Sequence, residues 1–588
     1  MTLCLSGNGI ENWQGVDITI QSITLTPKSG GPPVALFTAP APGLPVNLAL
    51  LDHTDQLVGN FPIPLGTYTS ATLNLVTDRS AVQIRPSENP ALGFPGVDSP
   101  MNYDSAFVLG QNSSTSPSVV TCTVALPAPL MVTTDQGHVL DLAFDSFKPT
   151  FLLDHGTPSR NVWSMDFDGV LSQRPIQDPS QLALNPIAGM VTDTDGGSIF
   201  IAQRFTGEGL PSVSVPQRLR VHPDAASGTL CWDLASDTNR LVKDFAFLAG
   251  VSPNSPITVA GRLQSDGSLV ASRLWIGEGS VVGDLIDGHM LFTLVNSNNL
   301  QLEGETRDGV AIHGIGGWNT TIDTQTQFFL RNPANPRAET TPIGVGPTFL
   351  SSNKLAKGFR VFVYSHWTGR SFVARSVDIL AARFSGAPSQ ATGSQFTCTT
   401  PKGTNLGDSS DQVQVLPFAT GFTWSNDLGP STGADFAGFA TRTVDFGGTA
   451  GAYGPWSTTE AVWGDPANPV GWSARDTGFQ SLRLPDGSVA APWVASANGG
   501  TFDLALPGGT QTVTVNVNVA STLAYHNHGI NTYLGGFSIG LEAFDLTAPT
   551  GLTTFLAYLA HGYPVRVFGY PNGSGGLVAT TIFIQDPN

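Results

Sequence analysis

Along most of this chain apolar residues alternate with Thr, Ser, Asn and Asp at a period of two, the spacing of a strand with one buried face. Val16-Asp17-Ile18-Thr19-Ile20 opens the series and Ile23-Thr24-Leu25 continues it. Ala71 to Val76, Val139 to Phe144 and Met165 to Val170 repeat the alternation, and Val513 to Val519 shows it most cleanly. Turn chemistry separates these runs. Asp193-Thr194-Asp195-Gly196-Gly197 and Asp266-Gly267 are hairpin connections. Tyr68 follows Gly66 at the start of a strand, where a β-sandwich corner uses the phenol to bond the backbone a few residues upstream.

A longer period lies over the short one. Phe247-Leu248, Phe349-Leu350 and Phe555-Leu556 are each followed after a fixed interval by Val259, Val361 and Val567. Then come Val270-Ala271, Val373-Ala374 and Val578-Ala579, and after a second fixed interval Ile276, Ile379 and Ile584. Such regularity marks a duplicated unit. Each Phe-Leu pair sits in a short apolar stretch that predicts a helix capping a small barrel. The middle copy departs most, with Val363 in place of the first Gly of the pattern.

These signals predict an all-β chain: an N-terminal β-sandwich over 1–180, then barrel-like repeats with short capping helices over 187–278, 280–385 and 499–588. Residues 390–498 form a Trp- and Gly-rich β region, read either as a decayed fourth repeat, faintly echoed at Pro485 to Ala490, or as an unrelated insertion. Composition agrees. Of 588 residues only 12% are charged, whereas 66 are Gly and 43 Pro, which suits short strands joined by turns. The length asks for several cores rather than one.

Net charge is −18, with 27 Lys and Arg against 45 Asp and Glu, which argues against nucleic acid and anionic membrane surfaces as partners. No apolar run is long enough for a transmembrane helix. The scarcity of Lys and abundance of Thr, Ser and Gly point to an exported protein whose export signal is absent from this chain.

Two stretches resemble families of unknown function. Asp17 to Ile23, the Pro64-to-Tyr68 turn and Leu140-Asp141-Leu142 resemble the domain of unknown function 4382 family, whose members are secreted proteins or lipoproteins. The pattern from Val259 to Ala271, kept in the last copy at Val567, Gly569 and Gly575 to Ala579, resembles the domain of unknown function 5666 family of small exported β-barrel repeats. The resemblance implies a bacterial, extracellular setting and no particular activity.

Candidate chemistry is sparse. His526 and His528 stand two apart, so on a strand both imidazoles share a face and are candidate metal ligands. Asp193 and Asp195 resemble a fragment of a calcium loop, although both are ordinary turn residues as well. Gly536-Phe537-Ser538-Ile539-Gly540 matches a nucleophile elbow, which with His526 or His528 would make a hydrolase. Trp456, Trp463, Trp472 and Trp493 form the candidate carbohydrate-stacking segment, or else fill a core. Cys4 and Cys122 fall in one predicted domain and are the candidate disulfide. Repeats of architectural content favour a non-catalytic, extracellular structural protein, self-associating or binding other cell-surface proteins. Polysaccharide binding and hydrolysis are the alternatives.

Overall fold

The computed structural model is built almost wholly of strands. It describes, with short interruptions, residues 1–76, 82–86, 104–109, 119–277, 283–330, 341–347, 360–448 and 473–586. Two sheets form the N-terminal sandwich. A four-stranded sheet runs in the order Leu171–Arg174, Val139–Asp145, Thr2–Asn8 and Asp55–Asn60, with its central pair parallel. Opposite it lies a nine-stranded sheet around the long strand Trp13–Pro27, whose alternating residues face the shared core. The corner anticipated at Tyr68 is present: its buried hydroxyl donates to Pro64 O at 2.8 Å.

Three seven-stranded sheets follow, spanning Ile187–Ile276, Gly283–Ile379 and Ala382–Arg475. Numbered by chain order within each, all three have the same spatial order: third, second, first, sixth, seventh, fourth, fifth. In the first, the third strand (Leu210–Pro223) also pairs in parallel with the seventh (Leu269–Ile276), which closes five strands into a barrel. The fourth-and-fifth hairpin is added outside, parallel to the seventh strand. The last sheet closes likewise, Thr512–Asn518 pairing with Leu577–Gln585. Its strands Leu482–Arg483 and Ser488–Ser496 come from the stretch that the sequence pattern places in the 390–498 region.

The Phe-Leu stretches that are described are helical: a 3-10 turn at Ala246–Gly250, and the α-helix Pro549–Ala560 with Phe555 fully buried. Phe349-Leu350 lies outside the described residues. Register corrects the middle copy. Ala271 faces Gly261 and Ala579 faces Gly569, but Ala374 faces Ser365. The counterpart of Val259 is therefore Val363, not Val361, and the equal spacing from Phe349 conceals a shift of two residues.

One hydrogen-bond device recurs in the first, the second and the last of these units. Thr229, Thr326 and Thr522 donate through Oγ1 to the carbonyls of Ala271, Ala374 and Ala579 at 2.6, 2.6 and 2.8 Å. Each same oxygen accepts an N–H from the preceding turn, of Asp224, Asp323 and Asn518. The Thr thereby satisfies two backbone groups that would otherwise be buried unpaired.

Candidate functional site: the seams that join successive units

The sandwich and the first barrel exchange core residues. Phe205, Val213 and Val215, from the barrel's second and third strands, lie in the sandwich core. Cys4, Leu57 and Val139, from the sandwich, lie in the barrel core. Gln203 Nε2 donates to Leu57 O across this seam at 2.5 Å, and Asn60 Nδ2 donates to Gly267 O at 2.5 Å. Alternation makes this possible: a strand with one face in its own barrel and a projecting end can offer apolar side chains to a neighbour.

A polar cluster stands beside this apolar exchange. Arg174 binds Asp141 through Nε and Asp55 through Nη2, and Ser6 Oγ donates to Asp141 Oδ2 at 2.9 Å. Both carboxylates are buried, whereas the Arg174 side chain is 43% exposed. Burial first, and then the charge of Asp55, raise the Asp141 carboxyl to about 6 against the pull of Arg174. Burial likewise pushes the Cys4 thiol well up, so it is a poor nucleophile.

The seam between first and second barrels is made of rings and ion pairs. Trp232 stacks on Trp275 (5.5 Å between centroids, 10° between planes), and Trp275 stacks on Tyr364 of the second barrel (4.5 Å, 28°). Arg273, 3% exposed, grips both oxygens of Asp378, with Nη2 to Oδ2 at 2.6 Å, and lies 4.2 Å over the Phe329 ring. Arg375, 2% exposed, reaches back from the second barrel, binding Asp237 of the first through Nε at 2.7 Å and its own Asp323 at 2.8 Å. Asp237 sits in a turn at φ 53°, a conformation that Asp tolerates better than most residues.

The residues singled out from sequence are placed elsewhere. Asp195 Oδ1 accepts from Gly197 and Ser198 N–H, and its Oδ2 pairs with Arg220 at 2.9 Å; Asp193 pairs with Arg218 at 3.6 Å. Those hydrogen bonds hold the Asp195 carboxyl below its usual range. The segment is a capped hairpin turn whose carboxylates are engaged by backbone N–H groups and arginines. Among the described residues no group of three or more His, Cys, Asp or Glu could hold a metal ion.

His526 is a core residue, 1% exposed, packed on Tyr558 (4.0 Å) with Asp586 Oδ2 3.3 Å from its Nε2. His528 lies on the same strand, Leu523–Tyr533, but its side chain is outside the described residues. Ser538 lies within strand Gly536–Phe544, opposite Asn531 in an antiparallel pair. A nucleophile elbow needs a strand-to-helix turn, and Ser538 stands inside a strand instead.

Trp493 is half-buried, edge-on to Phe555 of the helix at 6.3 Å, and packs on the last barrel's core rather than forming a sugar platform. Trp456, Trp463 and Trp472 lie outside the described residues. Cys4 and Cys122 each carry a thiol and belong to different cores, so the expected disulfide is not formed.

Sequence reasoning missed Arg273, Asp378 and Arg375. The available signal was an Arg on a barrel strand in each of two successive units, where a polar residue on the outer face would ordinarily be solvated. No protein-family model, curated protein or solved structure matches this chain.

Proposed function

We propose that this protein is a non-catalytic structural array, a sandwich followed by tandem copies of one barrel unit, working as a rigid spacer or scaffold outside a bacterial cell. The observation that carries the reading is the pair of seams. Domains on one chain move relative to one another unless their interface is large and apolar or otherwise locked. Here one seam shares cores in both directions, and the next buries stacked rings and two arginines with their carboxylates. Side chains so placed do nothing for a small-molecule reaction. They hold successive bodies at a fixed angle.

The common strand order of three sheets and the repeated Thr-to-Ala hydrogen bond support descent from a single unit. Low charge and few lysines support an extracellular setting.

Small-angle scattering of the full chain, with limited proteolysis under native conditions, tests the reading. The expected result is one rigid particle that resists cleavage between sandwich and first barrel and between first and second barrels. Scattering that requires independently moving bodies, or rapid cleavage at either junction, ends it.

A further inference from the structure

The first two barrels meet through the same face of each. On the fourth, sixth and seventh strands of the first barrel this face carries Trp232, Ala260 and Trp275. By register from Ala271 and Ala374, the same positions in the second are Phe329, Tyr364 and Asp378. In the first barrel the adjoining Cys231, Val259 and Leu274 turn into its own core, so alternation puts this set on the outside. All six are nevertheless buried, because each barrel covers the other: Trp275 stacks on Tyr364, and Arg273 binds Asp378. Equivalent positions meet from both sides, which is the pattern of a two-fold contact made between two units of one chain.

The last barrel carries the same face. Counted on the same plan, Leu523–Tyr533, Val565–Pro571 and Leu577–Gln585 are its fourth, sixth and seventh strands. Register from Ala579 places Tyr525, Arg566, Thr581 and Phe583 on the face. The adjoining Ala524, Val565, Val567, Ile582 and Ile584 belong to the barrel's own core, so these four point outward. Tyr525 stacks on Phe583 (5.3 Å between centroids, 17° between planes), as Trp232 does on Trp275. Yet Phe583 is 0%, Thr581 1% and Arg566 7% exposed. A barrel wall standing in water does not hide a ring and a guanidinium on its outer side. Another body lies against it, as one does at the equivalent positions of the first two barrels.

We propose that this body is the third unit, Ala382–Arg475, applied through its own fourth, sixth and seventh strands, Thr423–Asn426, Val444–Gly448 and Ser473–Arg475. The third and last units then repeat the pairing of the first and second. Three observations select this partner. The face is buried within a single chain, so its cover belongs to that chain. The corresponding faces of the first two barrels are occupied by each other. The third unit has their strand order and directly precedes the last barrel, whose opening strand Leu482–Arg483 pairs with Val565–Pro571. The array is thus two face-to-face pairs of units behind one sandwich.

The inference goes beyond the rigid-array reading, which rests on the two earlier seams. A photoreactive benzophenone side chain, Tyr525→p-benzoylphenylalanine in the full chain, tests it. After irradiation and digestion, mass spectrometry identifies what the face touches. The expected capture is a peptide of the same chain carrying Thr423–Asn426, Val444–Gly448 or Ser473–Arg475. Capture of any other segment, of a second copy (seen as a doubled mass) or of nothing overturns the proposal. Leu523 is 46% exposed on the same side of that strand and takes the group instead should circular dichroism show the first variant misfolded. Leu230 is the counterpart of Leu523 in the first barrel and packs against the Trp232, Trp275 and Tyr364 rings. The group placed at Leu230 should capture the second barrel; failure there alone counts against the rigid array and leaves the pairing of the third and last units standing.

Discussion

Where the sandwich meets the first barrel, the two bodies trade apolar side chains and neither core is complete alone. Where the first barrel meets the second, a small separate cluster shared by both carries Trp232, Trp275 and Tyr364, and the buried Arg273 and Arg375 stand beside it with their carboxylates. The difference lies in what each seam can specify. Apolar exchange is strong but tolerant of small shifts, because dispersion and burial have little direction. A bidentate guanidinium–carboxylate pair accepts one geometry, and a buried ion left without its partner is costly. The first seam holds two bodies together; the second also fixes their register.

The largest effect should come from breaking the polar seam. Arg273→Ala leaves Asp378 buried without its partner and should cost about 3–5 kcal/mol in chemical denaturation. Replacing the pair together, Arg273→Met with Asp378→Leu, should recover most of that loss. A single substitution costing no more than a surface one would show that the pair fixes nothing.

At the apolar seam, Phe205→Ala removes a nearly buried ring from the sandwich core and should cost about 3 kcal/mol. Proteolysis should then open the sandwich–barrel junction while leaving the junction between barrels intact. Simultaneous opening of both would mean that the seams are not separable.

The smallest effect separates the seams by pH. Asp141, beside the apolar seam, titrates at about 6 when folded against an unfolded value near its ordinary 3.8. The fold binds this proton more tightly than the unfolded chain does. Stability from this group is therefore greatest below about pH 4, falls as pH rises to about 6, and is constant above. Asp141→Asn cannot ionise, so its stability relative to the unsubstituted chain should improve by about 2–3 kcal/mol between pH 4 and pH 7. A difference that stays flat with pH would place the Asp141 titration outside this window.

Much of the fold was legible because strand burial is written locally. Alternation located Trp13–Pro27, Gly66–Val76, Val139–Asp145 and Thr512–Asn518, and the Gly-to-Tyr spacing located the Tyr68 corner. The candidate sites were less legible. His526, Ser538, Asp193 and Asp195 match short patterns whose chemistry depends on neighbours distant in sequence, and those neighbours turned out to be aromatic rings, an antiparallel strand and arginines. The Thr-to-Ala device escaped notice because its two partners stand 42, 48 and 57 residues apart in the three barrels. A pattern search at fixed spacing does not see a contact whose connecting loop varies. Yet each Thr is followed three residues later by a ring, Trp232, Phe329 or Tyr525, and that local signal was there to read.

The sequence by itself determined that this is an all-β protein, where its main strands run and that one Phe–Val–Ala–Ile pattern recurs, because a period of two and turn residues act over a few positions. Only the tertiary structure decided that the third strand closes on the seventh, that Val363 rather than Val361 matches Val259, and that Arg273 and Asp378 meet across two barrels. Those outcomes rest on parallel pairing and face-to-face packing between segments tens of residues apart. Their register is set by which side chains fit together once the chain has closed on itself.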